Sequence, residues 1–530
     1  MKSQKQLFYN GRIYTVSQSQ PWADSMLVDN GIILAIGKYQ DVSLYAAECV
    51  DRVDLNGRFV MPGLHDAHSH LIWAAGRQLN HNCQLQDPRT LDELKQQLLA
   101  YWDRYSERGW LVASVYNPLI LTPDILTREW LDSILPGVPI CLHDYSYHNA
   151  MTNTAALEAA GIDRDTVPSV GGVIVKDPLT GEPTGLLRES AWARVHMAVP
   201  PRSRDENSSA LKLAAAICNQ YGITSVQEAS AQRGFLEAAH ALDSAGDLSL
   251  NLVCHIPWGS EFLAGCGKEG QEQLIKERKR YQSPRVFVDA IKIALDGTSM
   301  APTFSHVSLD PVTDQPITYN LLLDSDELVS KIEEWTAEGM MIKAHCTGYG
   351  SVRIGLDNYA RAADNSRAAG QMHDIAHAHY VSPADRARFA ELNVVAEMSP
   401  AVWHIPQYQD ALGKAYDFKT MNENGALVTV GTDWLLPPTP ELFPALAGML
   451  DHGDESVSLP VAIEMMTLNG AIAVGQQSRW GTLAPGKDAT FIVLDRNLFD
   501  IPPSEIAGVN VVQTYLQGDS VFSRETASHV

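Results

Sequence analysis

The chain has 530 residues, of which 45% are hydrophobic, and it carries a formal net charge of −23 at pH 7. This length exceeds what one hydrophobic core usually organises, so we expect two or three domains. The acidic balance argues against nucleic acid and anionic membrane surfaces as partners, because both favour basic patches.

The first 61 residues are typical of short strands separated by tight turns. The Asn-Gly pair at 10–11 lies between two apolar runs and predicts a hairpin, and residues 25–36 predict a second hairpin around Asp-Asn-Gly. The C-terminal residues continue this pattern, with a strand at 490–494 and a last hairpin at 511–522. We therefore expect residues 1–61 and 476–530 to form one small β domain.

Between these ends, strand-like runs alternate with helical stretches, which is typical of parallel βαβ units. Eight is the number of strands that closes a (β/α)8 barrel, and we assign residues 62–75 and 216–475 to such a barrel. The eight expected strands are 64–70, 223–229, 251–256, 287–293, 340–345, 374–379, 393–398 and 427–433.

The segment 76–215 separates the first two barrel strands and is too long for an ordinary loop. It contains two further strand-like runs, 110–116 and 139–145, together with helical stretches. We predict that it forms an inserted α/β subdomain that covers the mouth of the barrel.

A His-x-His pair ends the first predicted barrel strand, in the sequence Met-Pro-Gly-Leu-His-Asp-Ala-His-Ser-His at 61–70. Residues i and i+2 of a strand point to the same face, so His68 and His70 can both reach one cation. The pair alone is weak evidence for a metal site, and the later strands provide the rest.

Further polar side chains lie at the carboxyl ends of later strands, where barrel active sites are built. Taken singly, a strand-end histidine is commonly structural, Lys292 could pair with Asp289 or Asp296, and Asp433 could cap the next segment. Taken together they are harder to dismiss, because an apolar barrel rim rarely holds so many polar groups unless something polar lies among them. The candidate metal ligands are His68, His70, Lys292, His345, His377 and Asp433.

Several segments resemble the amidohydrolase superfamily, and within it the amidohydrolase-3 group of N-substituted formamide deformylase-like and exoenzyme regulatory protein-like members. The resemblance covers nearly the whole chain and rests on residues 61–70, 153–157, 185–189, 288–297 and 481–489. It implies a (β/α)8 TIM-like barrel, a small β-sandwich formed from both termini, and one or two divalent metal ions, usually zinc.

The resemblance also implies roles for the candidate residues. Asp433 would bind the first metal ion, and His345 and His377 would hold the second. Lys292 matches a lysine that carries a carbamate and bridges two metals. Burial favours this chemistry, because a desolvated lysine loses its proton readily and can then react with carbon dioxide.

Three assignments stay open at this point. His373 and His379 flank His377, so any of the three could be the ligand from the sixth strand. His148 lies in a segment that resembles one reaching into the site, where it would orient the scissile carbonyl, and it is equally consistent with a structural histidine. Glu228 ends the second strand as a spare carboxylate, for which a surface or salt-bridged role is favoured.

A bound zinc ion lowers the pKa of its water to about 7, and Asp433 would take the proton of that water and pass it to the leaving group. We therefore predict a metal-dependent hydrolase that cleaves a non-peptide C–N bond of a small amide, N-acyl or N-formyl compound. Lactone, ester or carbamate hydrolysis and deamination are alternatives on the same scaffold. A non-catalytic exoenzyme-regulatory protein is an alternative of another class.

The cysteines and the apolar runs give an expectation for the compartment. The seven cysteines are scattered and form no Cys-x-x-Cys pair, which indicates reduced thiols rather than a disulfide framework. The sequence has no apolar run long enough for a signal peptide or a membrane span. We expect a cytoplasmic protein that binds a small-molecule substrate and neither nucleic acid nor membrane, and that can form a homo-oligomer.

Overall fold

The computed structural model describes residues 5–46, 50–365, 372–405, 408–409, 412–413 and 415–524. Its strands, numbered along the chain, are β1 (Gln6–Tyr9), β2 (Arg12–Tyr14), β3 (Trp22–Ala23), β4 (Ser25–Asp29), β5 (Ile32–Gly37), β6 (Asp51–Asp54), β7 (Phe59–Pro62), β8 (Leu64–Ser69), β9 (Cys83–Gln84), β10 (Leu111–Tyr116), β11 (Ile140–Asp144), β12 (Asn149–Thr152), β13 (Val173–Lys176), β14 (Pro183–Arg188), β15 (Ile223–Glu228), β16 (Asn251–Pro257), β17 (Val286–Ala294), β18 (Met341–Cys346), β19 (His373–His377), β20 (Val394–Met398), β21 (Leu427–Val430), β22 (Phe491–Leu494), β23 (Val511–Leu516) and β24 (Asp519–Ser523).

The α-helices are numbered in the same way. They are α1 (Tyr39–Val42), α2 (Leu71–Gln78), α3 (Leu91–Tyr105), α4 (Arg128–Ile134), α5 (Thr154–Ala159), α6 (Ala193–Ala198), α7 (Arg204–Gln220), α8 (Arg233–Ala245), α9 (Glu261–Ala264), α10 (Lys268–Glu277), α11 (Ser325–Ala337), α12 (Tyr349–Asn365), α13 (Arg386–Glu391), α14 (Phe418–Glu423), α15 (Phe443–Leu450), α16 (Leu459–Met465), α17 (Leu468–Ala473) and α18 (Pro503–Ile506). In the part of the chain that the structure describes, none of the helices is both long enough and apolar enough to span a membrane.

The central sheet contains eight parallel strands in the order β21-β20-β19-β18-β17-β16-β15-β8. They are the eight runs expected from the sequence, so the (β/α)8 barrel is confirmed. Strands β8, β15, β16 and β20 are buried along their full length. Burial on both faces is what a parallel sheet surrounded by helices imposes on its strands.

The barrel closes between its last and first strands. The Asp433 N–H donates to the carbonyl of His68 over 2.7 Å, and the His70 N–H donates to the carbonyl of Trp434 over 3.3 Å. The buried carboxyl of Asp66 adds to this seam, because it accepts from the N–H and from the hydroxyl of Thr432. Residues that are far apart in sequence therefore meet at one edge of the barrel.

The two chain ends form the expected β-sandwich. One sheet has the order β5-β4-β1-β6 and the other the order β24-β23-β22-β7-β2-β3, and apolar side chains from both, including Phe8, Phe491 and Tyr515, pack between them. The hairpins β4–β5 and β23–β24 are confirmed. The hairpin expected around residues 10–11 is wrong, because β1 pairs with β4 and β6 whereas β2 joins the other sheet.

The segment between β8 and β15 contains its own six-stranded sheet, of order β13-β14-β12-β11-β10-β9. Both strand-like runs expected in this segment are present, as β10 and β11. Helix α7 begins with a capping box formed by Ser203 and Glu206 and packs against α2 and α8. The expected boundary at residue 215 falls within this helix, and the domain boundaries themselves stay a prediction.

Candidate active site

All six proposed ligands line one pocket of about 120 Å³ at the carboxyl ends of the barrel strands. They come from five strand ends: β8, β17, β18, β19 and the segment that follows β21. Burial of so many polar groups is costly unless each has a partner or a ligand. The proposed ligands in the pocket wall are His68, His70, Lys292, His345, His377 and Asp433.

His68 is held by a buried carboxylate. Its Nδ1 lies 2.6 Å from Oε2 of Glu397, and both side chains are buried. Since a carboxylate only accepts, Nδ1 carries the proton and Nε2 keeps its lone pair. A carboxylate that accepts from one imidazole nitrogen in this way fixes the ring so that its other nitrogen can bind a metal ion.

His70 and Asp433 face each other across the seam of the barrel, with Nε2 and Oδ1 3.6 Å apart. Burial lowers the pKa of His70 to about 3, so its imidazole is neutral and able to act as a ligand. Burial, with the charge of Glu397 as a smaller contribution, raises the pKa of Asp433 to about 7. The structure therefore places a carboxyl that exchanges its proton near neutral pH beside a neutral imidazole.

Lys292 lies at the centre of the pocket, 2% exposed, with Nζ 3.5 Å from Nε2 of His68. Burial, followed by repulsion from the Lys343 ammonium, lowers the pKa of Lys292 to about 8. A substantial fraction of the amine is then neutral near pH 8. Only a neutral amine can react with carbon dioxide, so the lysine meets the first requirement for carbamate formation.

His345 and His377 are neighbours, with ring centroids 4.5 Å apart. Nε2 of His345 lies 3.0 Å from the carbonyl of Gly297, so Nε2 carries the proton and Nδ1 is the nitrogen with a lone pair. His377 has a left-handed backbone with φ of +70°, and its N–H donates to Glu397 over 3.2 Å. Such a conformation in a residue other than glycine is strained and is commonly found at active sites.

The structure separates the three histidines of the sixth strand. His373 lies at the start of β19, where Nδ1 accepts from the N–H of Ile342 over 3.2 Å. His379 packs on His377 with ring centroids 5.4 Å apart, and its Nδ1 lies 3.4 Å from the Ser299 hydroxyl. His377 is the one that lies within ligand distance of His68, so the geometry favours it over its two neighbours.

His148 also lines the pocket, and it forms a pair with a buried glutamate from the end of β14. Its Nδ1 lies 2.7 Å from Oε2 of Glu189, and its ring centroid is 6.0 Å from that of His345. Burial on its own would lower the pKa of His148, but the neighbouring Glu189 carboxylate outweighs burial and raises it. A histidine whose protonated form is favoured by a neighbouring carboxylate is a suitable donor to a carbonyl oxygen.

The sequence interpretation missed Glu397. This carboxylate touches His68, accepts from the N–H of His377, and lies 3.9 Å from the ammonium of Lys343. A signal was present, because Glu397 is the one acidic residue within the otherwise apolar run of β20. Glu228, for which a surface or salt-bridged role was favoured, is instead buried, and its carboxyl accepts from the N–H groups of Leu71 and Ser230.

The donor set fits a divalent cation. Ligand atoms of His68, His70 and Asp433 lie within 4.8 Å of one another, and so do ligand atoms of His68, His377 and Glu397. The imidazoles are neutral, and two of them have their second nitrogen occupied by a carboxylate or a carbonyl. Nitrogen and carboxylate ligands with a fixed second shell are typical of zinc sites in hydrolases.

Comparisons with known proteins agree with this architecture. The chain is 27% identical to the Bacillus subtilis protein YtcJ, which is named as an amidohydrolase, over 98% of this chain and 100% of that protein. It is 26% identical to the N-substituted formamide deformylase of Arthrobacter pascens over 98% of both chains. A metal-dependent hydrolase from Pyrococcus horikoshii has the same fold, with a TM-score of 0.72 at 20% identity over 95% of this chain and 99% of that one.

A family model provides the identification. The model described as the amidohydrolase family matches residues 51–522, which include the barrel, the inserted sheet and the β-sandwich strands from β6 onward. This match confirms the resemblance stated from the sequence and the expectation of a hydrolytic enzyme. The chain therefore belongs to the amidohydrolase family.

Proposed function

We propose that this protein is a metal-dependent hydrolase that cleaves the C–N bond of a small amide, N-acyl or N-formyl compound. The observation that carries the proposal is the convergence of four neutral imidazoles, a buried amine and a carboxyl with a pKa near 7 on one pocket. A cation held there would supply a water molecule acidified to near neutral pH and would polarise the substrate carbonyl.

Two groups of side chains in the pocket would each bind one metal ion. His68, His70 and Asp433 would hold one ion, with Glu397 fixing the orientation of His68. His345 and His377 would hold a second, and Lys292 would supply a further ligand if it carries a carbamate. Zinc is the metal that this mixture of imidazole and carboxylate ligands favours.

Proton transfer falls to Asp433. Its carboxyl exchanges a proton near pH 7, so it can accept the proton of the attacking water and return it to the leaving nitrogen. His148 would donate to the carbonyl oxygen on which negative charge develops, because Glu189 favours its protonated form. Both assignments follow the positions of these groups in the pocket wall.

The size of the pocket supports a small acyl group. A cavity of about 150 Å³ holds a molecule the size of benzene, so a pocket of 120 Å³ accommodates a formyl or acetyl group. Kinship with a formamide deformylase agrees with this size, although fold-level kinship carries substrates poorly.

The test is a metal-replete screen over formamides, N-acyl compounds, lactones and carbamates, with Asp433→Asn as the paired variant. We expect hydrolysis of a formamide or a short N-acyl compound by the wild type. Asp433→Asn should retain metal and lose turnover at least ~100-fold, which is what general acid–base catalysis contributes. If only lactones are hydrolysed, the enzyme cleaves a C–O bond and the proposed C–N bond is wrong. A fully active Asp433→Asn would refute the role of this carboxyl.

A further inference from the structure

A second, larger cavity adjoins the catalytic pocket and has a volume of about 740 Å³. It lies between the inserted sheet and the barrel, and five residues line both spaces. A volume of this size is typical of sites for drug-sized ligands. The shared residues are Trp73, Tyr147, Trp192, Phe262 and Leu435.

The shared wall is aromatic. The ring of Phe262 lies 4.0 Å from that of Trp192 and 5.7 Å from that of Trp73, measured between centroids. Trp73 in turn stacks on the proposed ligand His70, with an interplanar angle of 13°. A flat, apolar part of a ligand that extends from the catalytic pocket into the larger cavity would therefore lie against aromatic faces, which favour aromatic rings.

Beyond these rings the cavity presents two arginines, Arg77 and Arg202, for which the described residues provide no ion pair. Arg77 is 6% exposed and donates only to neutral oxygens, the Tyr147 hydroxyl at 3.2 Å and the Leu435 carbonyl at 2.6 Å. Arg202 donates to the Ile72 carbonyl at 3.2 Å, and the charge that attracts it, Glu206, forms its ion pair with Arg108 instead. Among the residues that the structure describes, no carboxylate lies within ion-pair distance of either guanidinium. An unpaired guanidinium in a buried place points to an anionic ligand.

The net charge of the whole cavity lining is also positive. Its lining contains three arginines and three glutamates, of which Glu206 pairs with Arg108 at 3.0 Å and Glu107 is exposed to solvent. Burial raises the pKa of Glu228 to about 8, so this carboxyl is largely protonated at pH 7. Two buried lining histidines, His81 and His143, have an Nδ1 without a hydrogen-bond partner among the described residues. A net positive cavity is unusual in a chain whose net charge is −23.

Helix α2 fixes the spacing between the metal site and the positive end. Its N-cap is His70, and Trp73 and Arg77 follow at i+3 and i+7, which places all three on one face of the helix. Seven residues of α-helix rise about 10 Å. An anion bound at Arg77 and Arg202 is therefore separated from the scissile bond by roughly the length of an aromatic ring and its links.

We propose that the larger cavity binds the nitrogen substituent of the substrate, an aromatic ring that carries a carboxylate at its far end. This inference rests on the proposed function for the identity of the scissile bond, and on the cavity alone for the aryl carboxylate. The ring packs among Trp73, Trp192 and Phe262, and Arg202 and Arg77 bind the carboxylate. The formyl or short acyl group occupies the catalytic pocket.

A binding experiment tests the cavity without turnover. Metal-free protein is titrated with 4-methylbenzoate and with the uncharged 4-methylbenzamide, and tryptophan fluorescence reports binding. We expect the carboxylate to bind about 10- to 100-fold more tightly, as a hydrogen bond to a charged group implies. Arg202→Gln should abolish this preference, and Arg202→Lys should keep part of it.

Arg204→Gln is the matched control, because Arg204 lies two residues away, exposed and paired with Glu237. It should bind both probes like the wild type, and thermal unfolding should show that all variants are folded. Equal affinity of the wild type for the two probes, or an unchanged preference in both Arg202 variants, overturns the proposal.

Kinetics then separate the inference from the proposed function. We expect kcat/KM for 4-(formamidomethyl)benzoate to exceed that for N-benzylformamide about 10-fold or more, through KM, with a ratio near 1 in Arg202→Gln. If neither amide is hydrolysed while 4-methylbenzoate still binds through Arg202, the proposed function fails and the cavity assignment stands. If N-benzylformamide is hydrolysed but the carboxylate gives no advantage, the inference alone fails.

Discussion

Glu397→Gln isolates the contribution of one buried charge to the metal site. The carboxylate accepts from His68 Nδ1 at 2.6 Å and from the His377 N–H at 3.2 Å through Oε2, while Oε1 accepts from the Ser399 hydroxyl at 2.7 Å. A glutamine oxygen at the Oε2 position keeps both acceptor contacts, and its NH2 group can donate to the Ser399 hydroxyl. The substitution therefore preserves the geometry and removes the charge.

The expected size of the effect follows from that geometry. A hydrogen bond to a charged group contributes about 1.5–3 kcal/mol, against about 1 kcal/mol for a neutral one. Loss of a second-shell partner typically weakens metal binding about 10- to 100-fold, which corresponds to about 1.4–2.8 kcal/mol. We expect the zinc affinity of Glu397→Gln to fall within this range, as measured by competition with a chromophoric chelator.

Asp385→Asn is a suitable control, because Asp385 is equally buried but pairs with Arg353 and Arg388, outside the pocket. It should leave zinc affinity unchanged. If Glu397→Gln binds zinc within twofold of the wild type, His68 does not depend on this carboxylate, and the reasoning about its orientation is refuted.

Three further predictions concern the seam, the lysine and the proton balance. In Gly431→Ala the new Cβ would lie 2.6 Å from Cβ of His68 and 2.7 Å from its backbone N, so urea unfolding should show a loss of about 1–3 kcal/mol. Gly267→Ala, whose nearest neighbour is 4.0 Å away, changes only the N-cap of α10 and should show a smaller loss; equal losses would contradict this account. Lys292→Arg keeps a positive charge that cannot be lost, so it cannot form a carbamate, and metal analysis should find about one equivalent of bound metal less than in the wild type. An unchanged metal content would refute the carbamate on Lys292. In chelator-treated protein the folded pKa of Asp433, about 7, exceeds the unfolded value of about 3.9, so its contribution to stability disappears as pH rises from 4 to 8. Asp433→Asn should then lose less stability than the wild type over that range, and parallel curves would exclude this contribution.

The sequence predicted the barrel well because its strands are apolar runs of regular spacing. The proposed ligands line one pocket because each lies at or just past the carboxyl end of a barrel strand, where the topology brings them together, and their roles as ligands stay a prediction. The hairpin around residues 10–11 failed because the Asn-Gly pair predicts a turn but not which sheet each flanking run joins. Glu397 was missed because a single glutamate in a strand gives no pairing pattern until His68 is seen beside it.

Other features of the site could not be predicted from any local sequence pattern. The arginines of the larger cavity come from α2 and from the loop before α7, and only the packing of the inserted sheet on the barrel brings Arg77 and Arg202 to one space. Likewise, the tautomers of His68 and His345 depend on acceptors hundreds or tens of residues away in sequence, Glu397 and the Gly297 carbonyl.

The hydrogen bonds at the barrel seam have a consequence for the synthesis and the unfolding of the protein. The groups that bind the first cation become neighbours only when the polypeptide has completed the full circuit and its final strand docks on its first. A nascent chain that ends before residue 433 has no such centre, however well its earlier units have packed. Fraying at that junction would release the ion in the same event, so metal loading should report directly on whether the ring is shut.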